Sequence, residues 1–174
     1  MQTATERPNA IILRGKPLTL IGPELRIGDR APDFTLTDQT WAPVTLASTG
    51  SRVRVFSIVP SLETSVCTLQ TKRFSEEAGR LGDKVAFYAI SRDLPYAAKR
   101  WCGAEGVTNV TTLSDHMDGN FGRAYGTFIK EMGLDARSVF VLDGRGTLRH
   151  VEYVKEFGAQ PDYEAVLAAL KGLL

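Results

Sequence analysis

The stretch from Val53 to Leu69, VRVFSIVPSLETSVCTL, decides the fold of this 174-residue chain. Its first seven residues are mostly apolar, which is typical of a buried β-strand. Pro60 ends that strand because proline has no N–H to donate to a neighbouring strand. Thr64 and Ser65 offer side-chain oxygens that can cap a helix, and apolar residues then recur at helical spacing. The pattern predicts a helix from Ser65 to about Leu81, and its core-facing residues would be Val66, Leu69, Phe74, Ala78 and Leu81.

Cys67 falls in the first turn of this predicted helix. Unpaired backbone N–H groups and the positive end of the helix dipole favour an anion at that position. A thiol there ionises more readily and becomes a better nucleophile near neutral pH. From position alone the alternative stays open that Cys67 is buried and inert, which is the common fate of a free cysteine.

Charge and composition exclude several classes of protein. The chain has 21 basic and 20 acidic residues, and a net charge of +1 gives no global reason to expect binding to nucleic acid or membranes. No apolar run approaches the roughly 18 residues of a membrane-spanning helix. The N-terminus, MQTATERPNA, lacks the basic and apolar segments of a secretory signal. We therefore expect a cytoplasmic protein, in a compartment that keeps thiols reduced.

The order of the remaining elements predicts the fold class. Residues 85–91, VAFYAIS, form a second apolar run, and a strand, a helix and a strand in this order imply a right-handed parallel crossover. Residues 138–142 and 148–154 flank DGRG, a strong hairpin signal. Pro161 and Asp162 open a last amphipathic helix.

At the start of the chain, residues 10–13 and 16–20 flank Gly15 and predict a small hairpin. We therefore expect an α/β, thioredoxin-like fold, with a central mixed β-sheet flanked by helices and an N-terminal β-hairpin extension. The length suits one domain, which we expect over residues 9–174 after a flexible N-terminus at residues 1–8.

Cys102 is the only other cysteine. Asp93 can cap a helix that runs through Trp101 to Cys102 and ends at Gly103 and Gly106. A helix end opens at low cost, so a thiol there can swing toward a distant sulfur. In a reducing compartment a reversible catalytic pair is a better interpretation than a permanent bridge. The alternative is a small apolar residue that seals the helix end.

Other chemistries find less support. The chain has no C-x-x-C, so the usual dithiol of a protein disulfide oxidoreductase is missing. A zinc site would need about four ligands, and His116 and His150 are not spaced from either cysteine as metal ligands are. His150 lies in a predicted strand, so it is a poor candidate for the base of a cysteine protease. Considered alone, Arg137 would be a solvated residue at a strand start. Glu76 and Glu77 would belong to a solvated helix face.

Several motifs together resemble one family. PSLETSVC (60–67) resembles the P-x-x-x-[TS]-x-x-C signature of peroxiredoxins. Further stretches narrow the resemblance to the thiol peroxidases, the atypical two-cysteine branch: DLPYAAKRWCGAEG (93–106), TLSDH (112–116), ARSVFVLD (136–143) and PDYEAVLAALK (161–171). The resemblance covers nearly the whole chain from about residue 10. Arg92 departs from it, because family members often have a small residue there.

The resemblance implies a role for five residues. Cys67 would be the peroxidatic nucleophile and Cys102 the resolving thiol, and the two would form a reversible intramolecular disulfide. Thr64 and Arg137 would complete the peroxide-binding pocket, and Pro60 would shield it. The implied activity is reduction of hydrogen peroxide and organic hydroperoxides to water and alcohols, in antioxidant defence.

The same resemblance implies thioredoxin as the reductant, a homodimer, and neither a metal nor a haem or other cofactor. Two hypotheses of a different class remain at this point. The chain could be a non-enzymatic redox sensor whose disulfide switches a partner-binding surface. It could also be a thioredoxin-fold binding module with inert cysteines.

Overall fold

A seven-stranded mixed sheet forms the centre of the computed structural model, which describes residues 4–174. The strands are Glu6–Leu13 (β1), Lys16–Ile21 (β2), Thr35–Thr37 (β3), Pro43–Thr45 (β4), Val53–Ile58 (β5), Val85–Ser91 (β6), Thr111–Ser114 (β7), Phe128–Ile129 (β8), Leu134–Asp135 (β9), Ser138–Leu142 (β10) and Leu148–Tyr153 (β11). The helices are Ser65–Leu81 (α1), Pro95–Glu105 (α2), Asn120–Tyr125 (α3) and Tyr163–Lys171 (α4). Short 3-10 turns lie at Ala47–Thr49 and Gly82–Lys84.

The strand order in the large sheet is β11-β10-β5-β6-β7-β3-β4. Strands β5, β6 and β7 are parallel, and β10 is antiparallel to β5. The predicted thioredoxin-like α/β fold, the parallel crossover and the β10–β11 hairpin are therefore confirmed. Within residues 4–174, no helix combines the length and the apolar composition that crossing a bilayer would require.

Side chains of the central strands alternate between two cores, as the period of two in a strand requires. Val55 points toward α1, α2 and α4, and its neighbour Phe56 points toward α3 on the opposite face. Phe74 and Trp101 anchor α1 and α2 in the first core, and Phe121 and Tyr125 anchor α3 in the second. The helix that carries Cys67 thus packs on one face of the sheet together with the helix that carries Cys102.

Helix α1 has the predicted bounds, and the predicted core residues Phe74 and Ala78 are buried, but the prediction was wrong for Leu69. Leu69 is 61% exposed, whereas polar residues of the helix face the core. The buried residues of the helix are Cys67, Gln70, Thr71, Phe74, Ser75, Glu77 and Ala78. Glu77 is one of them and pairs with Arg73 and Arg80, so placing it on a solvated face was wrong.

The predicted flexible N-terminus is too long, because strand β1 already begins at Glu6. Of the segment 1–8, residues 1–3 lie outside the described residues. Arg7 gives the physical reason, since its Nε donates a hydrogen bond to the carbonyl of Gly22 at 3.2 Å and fixes the strand. The predicted hairpin is confirmed from residue 10 onward.

A second, smaller sheet extends this hairpin, with strand order β1-β2-β8-β9. The two-residue strands β8 and β9 were not predicted from the sequence. Strand β8 pairs with β2 through Leu20 and Ile129, and β9 leads directly into Arg137 and β10. The hairpin extension therefore supports the segment that delivers Arg137 to the large sheet.

Candidate active site

Cys67 lies in the first turn of α1, with a fully buried side chain. Thr64 is the N-cap, and its Oγ1 accepts a hydrogen bond from the backbone N–H of Cys67 at 3.3 Å. This bond satisfies one of the N–H groups that a helix start leaves unpaired. The cap predicted at Thr64 is confirmed, and it fixes the turn that carries the thiol.

Arg137 reaches the same sulfur from the neighbouring strand. Its Nη2 lies 3.4 Å from Cys67 Sγ, and the side chain is only 2% exposed. The two meet because β10 runs antiparallel to β5, so that Ser138 pairs with Ile58 at the end of β5 from which α1 departs. A buried guanidinium in contact with the sulfur can stabilise negative charge that develops in a reaction at that sulfur.

Gln70 holds this arginine in place, and sequence reasoning missed it. Its Oε1 accepts a hydrogen bond from Arg137 Nη1 at 2.7 Å, and its Nε2 donates to Ser57 Oγ at 2.8 Å. The side chain is fully buried. Its spacing of three residues from Cys67 on a helix was the only available signal, since residues at i and i+3 share a face.

The loop between β5 and α1 is tied to the next crossover by Asp93. Its carboxylate accepts hydrogen bonds from the Ser61 hydroxyl at 2.8 Å and the Leu62 N–H at 2.7 Å. Asp93 therefore does not cap α2 as predicted: Leu94 occupies the N-cap position without a side-chain bond. Pro60 is buried at the start of this loop, between the strand and Cys67.

The first turn of α1 is also held from the C-terminal side of the chain. Gln160 Nε2 donates to the carbonyl of Val66 at 3.1 Å, and the Tyr163 hydroxyl donates to Gln160 Oε1. Burial raises the pKa of Tyr163 to about 12, although the charge of Arg137 opposes this shift. Tyr163 is therefore a neutral donor near pH 7 and adds no charge beside the thiol.

Cys102 lies in the last turn of α2 and is half-buried. The helix continues through Gly103 to Glu105, so the prediction that it ends at Gly103 was wrong, and Gly106 is the left-handed C-cap. Gln39 Nε2 lies 3.4 Å from Cys102 Sγ. Burial raises the pKa of Cys102, and hydrogen bonds from Gln39 and Thr112 oppose that shift only in part.

The structure thus brings together three of the five predicted site residues, Thr64, Cys67 and Arg137. Cys102 stands on another helix beside the same core, and both cysteines are free thiols. Among the residues the structure describes, neither histidine contacts a cysteine: His116 Nδ1 bonds to Ser114 Oγ and His150 faces Glu152. The arrangement is a buried, arginine-paired thiol with a second thiol on a neighbouring helix.

Comparisons with known proteins identify the family of this chain. The family described as Redoxin matches residues 26–167. Thiol peroxidase of Bacillus subtilis (strain 168) is 49% identical over 164 residues, which cover 94% of this chain and 98% of that protein. Thiol peroxidase of Clostridium acetobutylicum is 49% identical over 156 residues, which cover 90% and 94% of the two chains.

Solved structures agree with the sequence relatives. A peroxiredoxin-like protein from Aquifex aeolicus superposes with a TM-score of 0.88 at 35% identity, covering 95% of this chain and 98% of that one. A thiol peroxidase from Chromobacterium violaceum, with a TM-score of 0.83 at 20% identity over 93% and 95% of the two chains, bears on the fold alone. The chain therefore belongs to the redoxin family, as one of its thiol peroxidases.

Proposed function

We propose that Cys67 is the nucleophile with which this thiol peroxidase reduces hydrogen peroxide and organic hydroperoxides. The observation that carries the proposal is the 3.4 Å contact between Arg137 Nη2 and the fully buried Cys67 Sγ. The fixed cation lies where it can stabilise the negative charge that moves during attack by the thiolate, the nucleophilic form of a cysteine.

The first step follows from the chemistry of these groups. The Cys67 thiolate attacks one peroxide oxygen, the O–O bond breaks, and the other oxygen takes a proton and leaves as water or an alcohol. Negative charge moves from sulfur toward the leaving oxygen. Arg137, the Thr64 hydroxyl and N–H groups at the start of α1 are preorganised to stabilise it. Cys67 is left as a sulfenic acid.

Cys102 completes the cycle in this proposal. Its sulfur attacks Cys67, the S–O bond of the sulfenic acid breaks, and oxygen leaves as water with the thiol proton. The resulting intramolecular disulfide is reduced by exchange with a dithiol protein, for which we propose thioredoxin. Cys67 is fully buried in the first turn of α1, and Cys102 lies in the last turn of another helix, α2. The start of α1 and the end of α2 must therefore open locally before the two sulfurs can bond.

Three further parts of the proposal rest on the family resemblance. They are a homodimeric assembly, a cytoplasmic location and an antioxidant role. Sedimentation at micromolar concentration tests the assembly, and a monomer there would contradict it.

Turnover of peroxide tests the proposed function. Hydrogen peroxide consumption is coupled to thioredoxin, its reductase and NADPH, with wild type beside Cys67→Ser and Arg137→Ala. We expect Cys67→Ser to lose all measurable turnover, because serine does not ionise near pH 7. Arg137→Ala should be slower by about a hundredfold, the usual effect of losing one preorganised donor.

More than about a tenth of wild-type turnover in Cys67→Ser would contradict the role of Cys67. A redox sensor would instead form the disulfide on oxidation but would not need to cycle fast with a reducing system, so its turnover of peroxide would be slow. The same assay thus separates the enzyme from the sensor.

A further inference from the structure

The loop between β3 and β4, residues 38–42, lies along helix α2 and touches it at two places. Near the helix start, the Trp41 ring packs on Tyr96, with centroids 5.1 Å apart. In the last turn, Gln39 Nε2 approaches Cys102 Sγ at 3.4 Å. Tyr96 and Cys102 are six residues apart, or about 9 Å along the helix axis. The loop therefore spans most of the helix that must open if Cys102 is to move.

Gln39 connects this helix to the central sheet. The same Nε2 that faces Cys102 donates a hydrogen bond to Thr112 Oγ1 on β7 at 2.6 Å. Thr112 is buried, so one end of this link is fixed in the sheet. The amide thus bridges a rigid strand and the sulfur of Cys102.

The loop itself is built to hold a fixed shape. Asp38 Oδ1 accepts hydrogen bonds from the Thr40 N–H and hydroxyl, both at 2.7 Å, and from the Ala42 N–H at 3.0 Å. Trp41 has a φ of 68°, a conformation that is costly for a bulky side chain. This conformation turns the indole onto Tyr96 and onto His116, whose ring centroid lies 5.4 Å away.

We propose that Gln39 is a positioning residue that holds Cys102 in its closed, reduced conformation and so limits the rate at which Cys102 is released toward Cys67. The proposal rests on the proposed function in one respect, the role of Cys102 as resolving thiol. The closed state keeps the contact between Gln39 and Cys102, and local opening of α2 loses it. Weakening the contact should therefore raise the open population.

The consequence concerns the fate of oxidised Cys67. Its sulfenic acid either condenses with Cys102, releasing water, or reacts with a second hydroperoxide, which transfers an oxygen to sulfur and gives a sulfinic acid. Faster release of Cys102 favours the first route. Gln39 thus sets how much peroxide the enzyme tolerates before it is inactivated.

Alkylation of Cys102 tests, without any peroxide chemistry, whether Gln39 holds this thiol in the closed conformation. In a Cys67→Ser background, the rate of iodoacetamide modification of Cys102 is measured from pH 7 to 10 for wild-type Gln39 and for Gln39→Met. Methionine keeps the length of the side chain but has no N–H donor. We expect about fivefold faster alkylation at every pH, the factor for one net hydrogen bond. Gln39→Leu repeats the test with a second side chain.

Asn120→Ala is the matched control, because Asn120 anchors strand β3 through two hydrogen bonds to the Thr35 backbone without contacting Cys102. It should leave the alkylation rate unchanged. Slower alkylation in Gln39→Met, with the midpoint of the curve of rate against pH moved to higher pH, would overturn the proposal. Gln39 would then act by stabilising the thiolate of Cys102. An unchanged rate would overturn it as well.

Mass spectrometry of Cys67 after graded hydrogen peroxide gives the second readout. With thioredoxin turnover, Gln39→Met should accumulate sulfinic acid several-fold more slowly than wild type. In a Cys102→Ser background the same substitution should have no effect, because no resolving thiol remains. An equal effect in both backgrounds would overturn the proposal. Failure of wild type to oxidise Cys67 at all would instead count against the proposed function, while the alkylation result would still stand.

Discussion

Arg137 shows how a single residue takes its role from its surroundings. Its guanidinium is almost fully buried between Cys67 Sγ and Gln70 Oε1. An arginine in that position is held by its partners, so each of its hydrogen bonds also fixes the other in place. Gln70, which is fully buried and bonds to Arg137, therefore contributes to the geometry at the thiol.

We expect Gln70→Met to lower the second-order rate constant for hydrogen peroxide by about tenfold or more, because a misplaced donor loses much of its effect on the transition state. Stopped-flow oxidation of the reduced protein measures this rate. Ser75→Ala is the control, since Ser75 is buried on the same helix without a contact to Arg137. Equal rates in Gln70→Met and wild type would show that Arg137 is positioned without Gln70.

The sequence predicted part of this site and missed the rest for a physical reason. Cap chemistry predicted Thr64 and the helix turn that contains Cys67, and the family resemblance supplied Arg137. Gln70 was not predicted as a site residue, because a glutamine is normally solvated. Its burial depends on an arginine that lies 67 positions later in the chain. A contact between residues so far apart in the chain does not change the spacing of apolar and polar residues around either of them.

At the level of elements, the crossover from β5 through α1 to β6 positions the thiol. The sequence predicted the bounds of α1 and β6 because strand and helix periodicity, Thr64 and Gly82 all agreed. The predicted inward face of α1 was right for Phe74 and Ala78 but wrong for Leu69. Near the start of the helix the buried side is polar, since Gln70 bonds to Arg137 and Thr71 bonds to the carbonyl of Cys67.

Asp93 gives the crossover a second support. Besides Ser61 and Leu62 it accepts a hydrogen bond from Ser91 Oγ at 2.8 Å, so one carboxylate joins the ends of β5 and β6. The sequence predicted that Asp93 caps α2, because aspartate is a common N-cap residue. In the structure its carboxylate is occupied instead by contacts with the ends of β5 and β6.

We expect Asp93→Ala to lower the free energy of unfolding by about 2–3 kcal/mol, because three donors lose a charged acceptor. The peroxide rate should fall as well, since the loop before Cys67 is released. Urea unfolding and stopped-flow oxidation measure the two effects. Asp162→Ala, which removes the N-cap of α4, is the control for capping loss at about 1 kcal/mol. A similar loss of peroxide rate in both variants would contradict a specific role for the Asp93 loop.

At the scale of the whole molecule, a buried pair of carboxyl groups joins the small sheet to the large one. Asp135 on β9 is fully buried, and Asp115 at the end of β7 accepts hydrogen bonds from the N–H groups of Phe121 and Gly122 at 3.1 and 2.9 Å. Burial, followed by the charge of Asp115, raises the pKa of Asp135 to about 8, although Arg92 opposes this shift.

This pair predicts how stability depends on pH. Folded Asp135 keeps its proton up to about pH 8, whereas in the unfolded chain it ionises above its ordinary pKa of about 4. Between these values the folded state binds more protons, so the free energy of unfolding falls as pH rises, by about 1.4 kcal/mol per pH unit for one proton. The contribution is fully present below pH 4 and lost by about pH 8.

Asp135→Asn should remove this dependence of stability on pH, because asparagine stays neutral at every pH, as the protonated acid does below about pH 8. The variant should exceed wild type in stability at pH 8, with a difference that shrinks toward pH 5. Urea unfolding across that range measures it, with the exposed Asp83→Asn as control. Parallel curves for Asp135→Asn and wild type would contradict a protonated Asp135.

The sequence predicted the thioredoxin-like sheet but not the small sheet that surrounds Asp135. Strands β8 and β9 have two residues each, too short for any alternation to be visible. Their existence depends on β2 as a pairing partner, more than a hundred residues away for Leu20 and Ile129. The burial of Asp135 likewise cannot be predicted from the neighbouring residues, since an aspartate is normally exposed.

Peptide mapping shows whether hydrogen peroxide joins Cys67 and Cys102 of the same chain in a disulfide. Reduced protein at natural isotope abundance and reduced protein labelled with ¹⁵N are unfolded together in urea in equal amounts and refolded, so that the subunits of a homodimer mix. The mixture is treated with one equivalent of hydrogen peroxide, alkylated and digested without reductant. We expect a linked pair of peptides that contain Cys67 and Cys102, with both peptides light or both heavy. A Cys67 that remains an alkylated thiol after the peroxide is consumed, or linked pairs that are half light and half heavy, would contradict it.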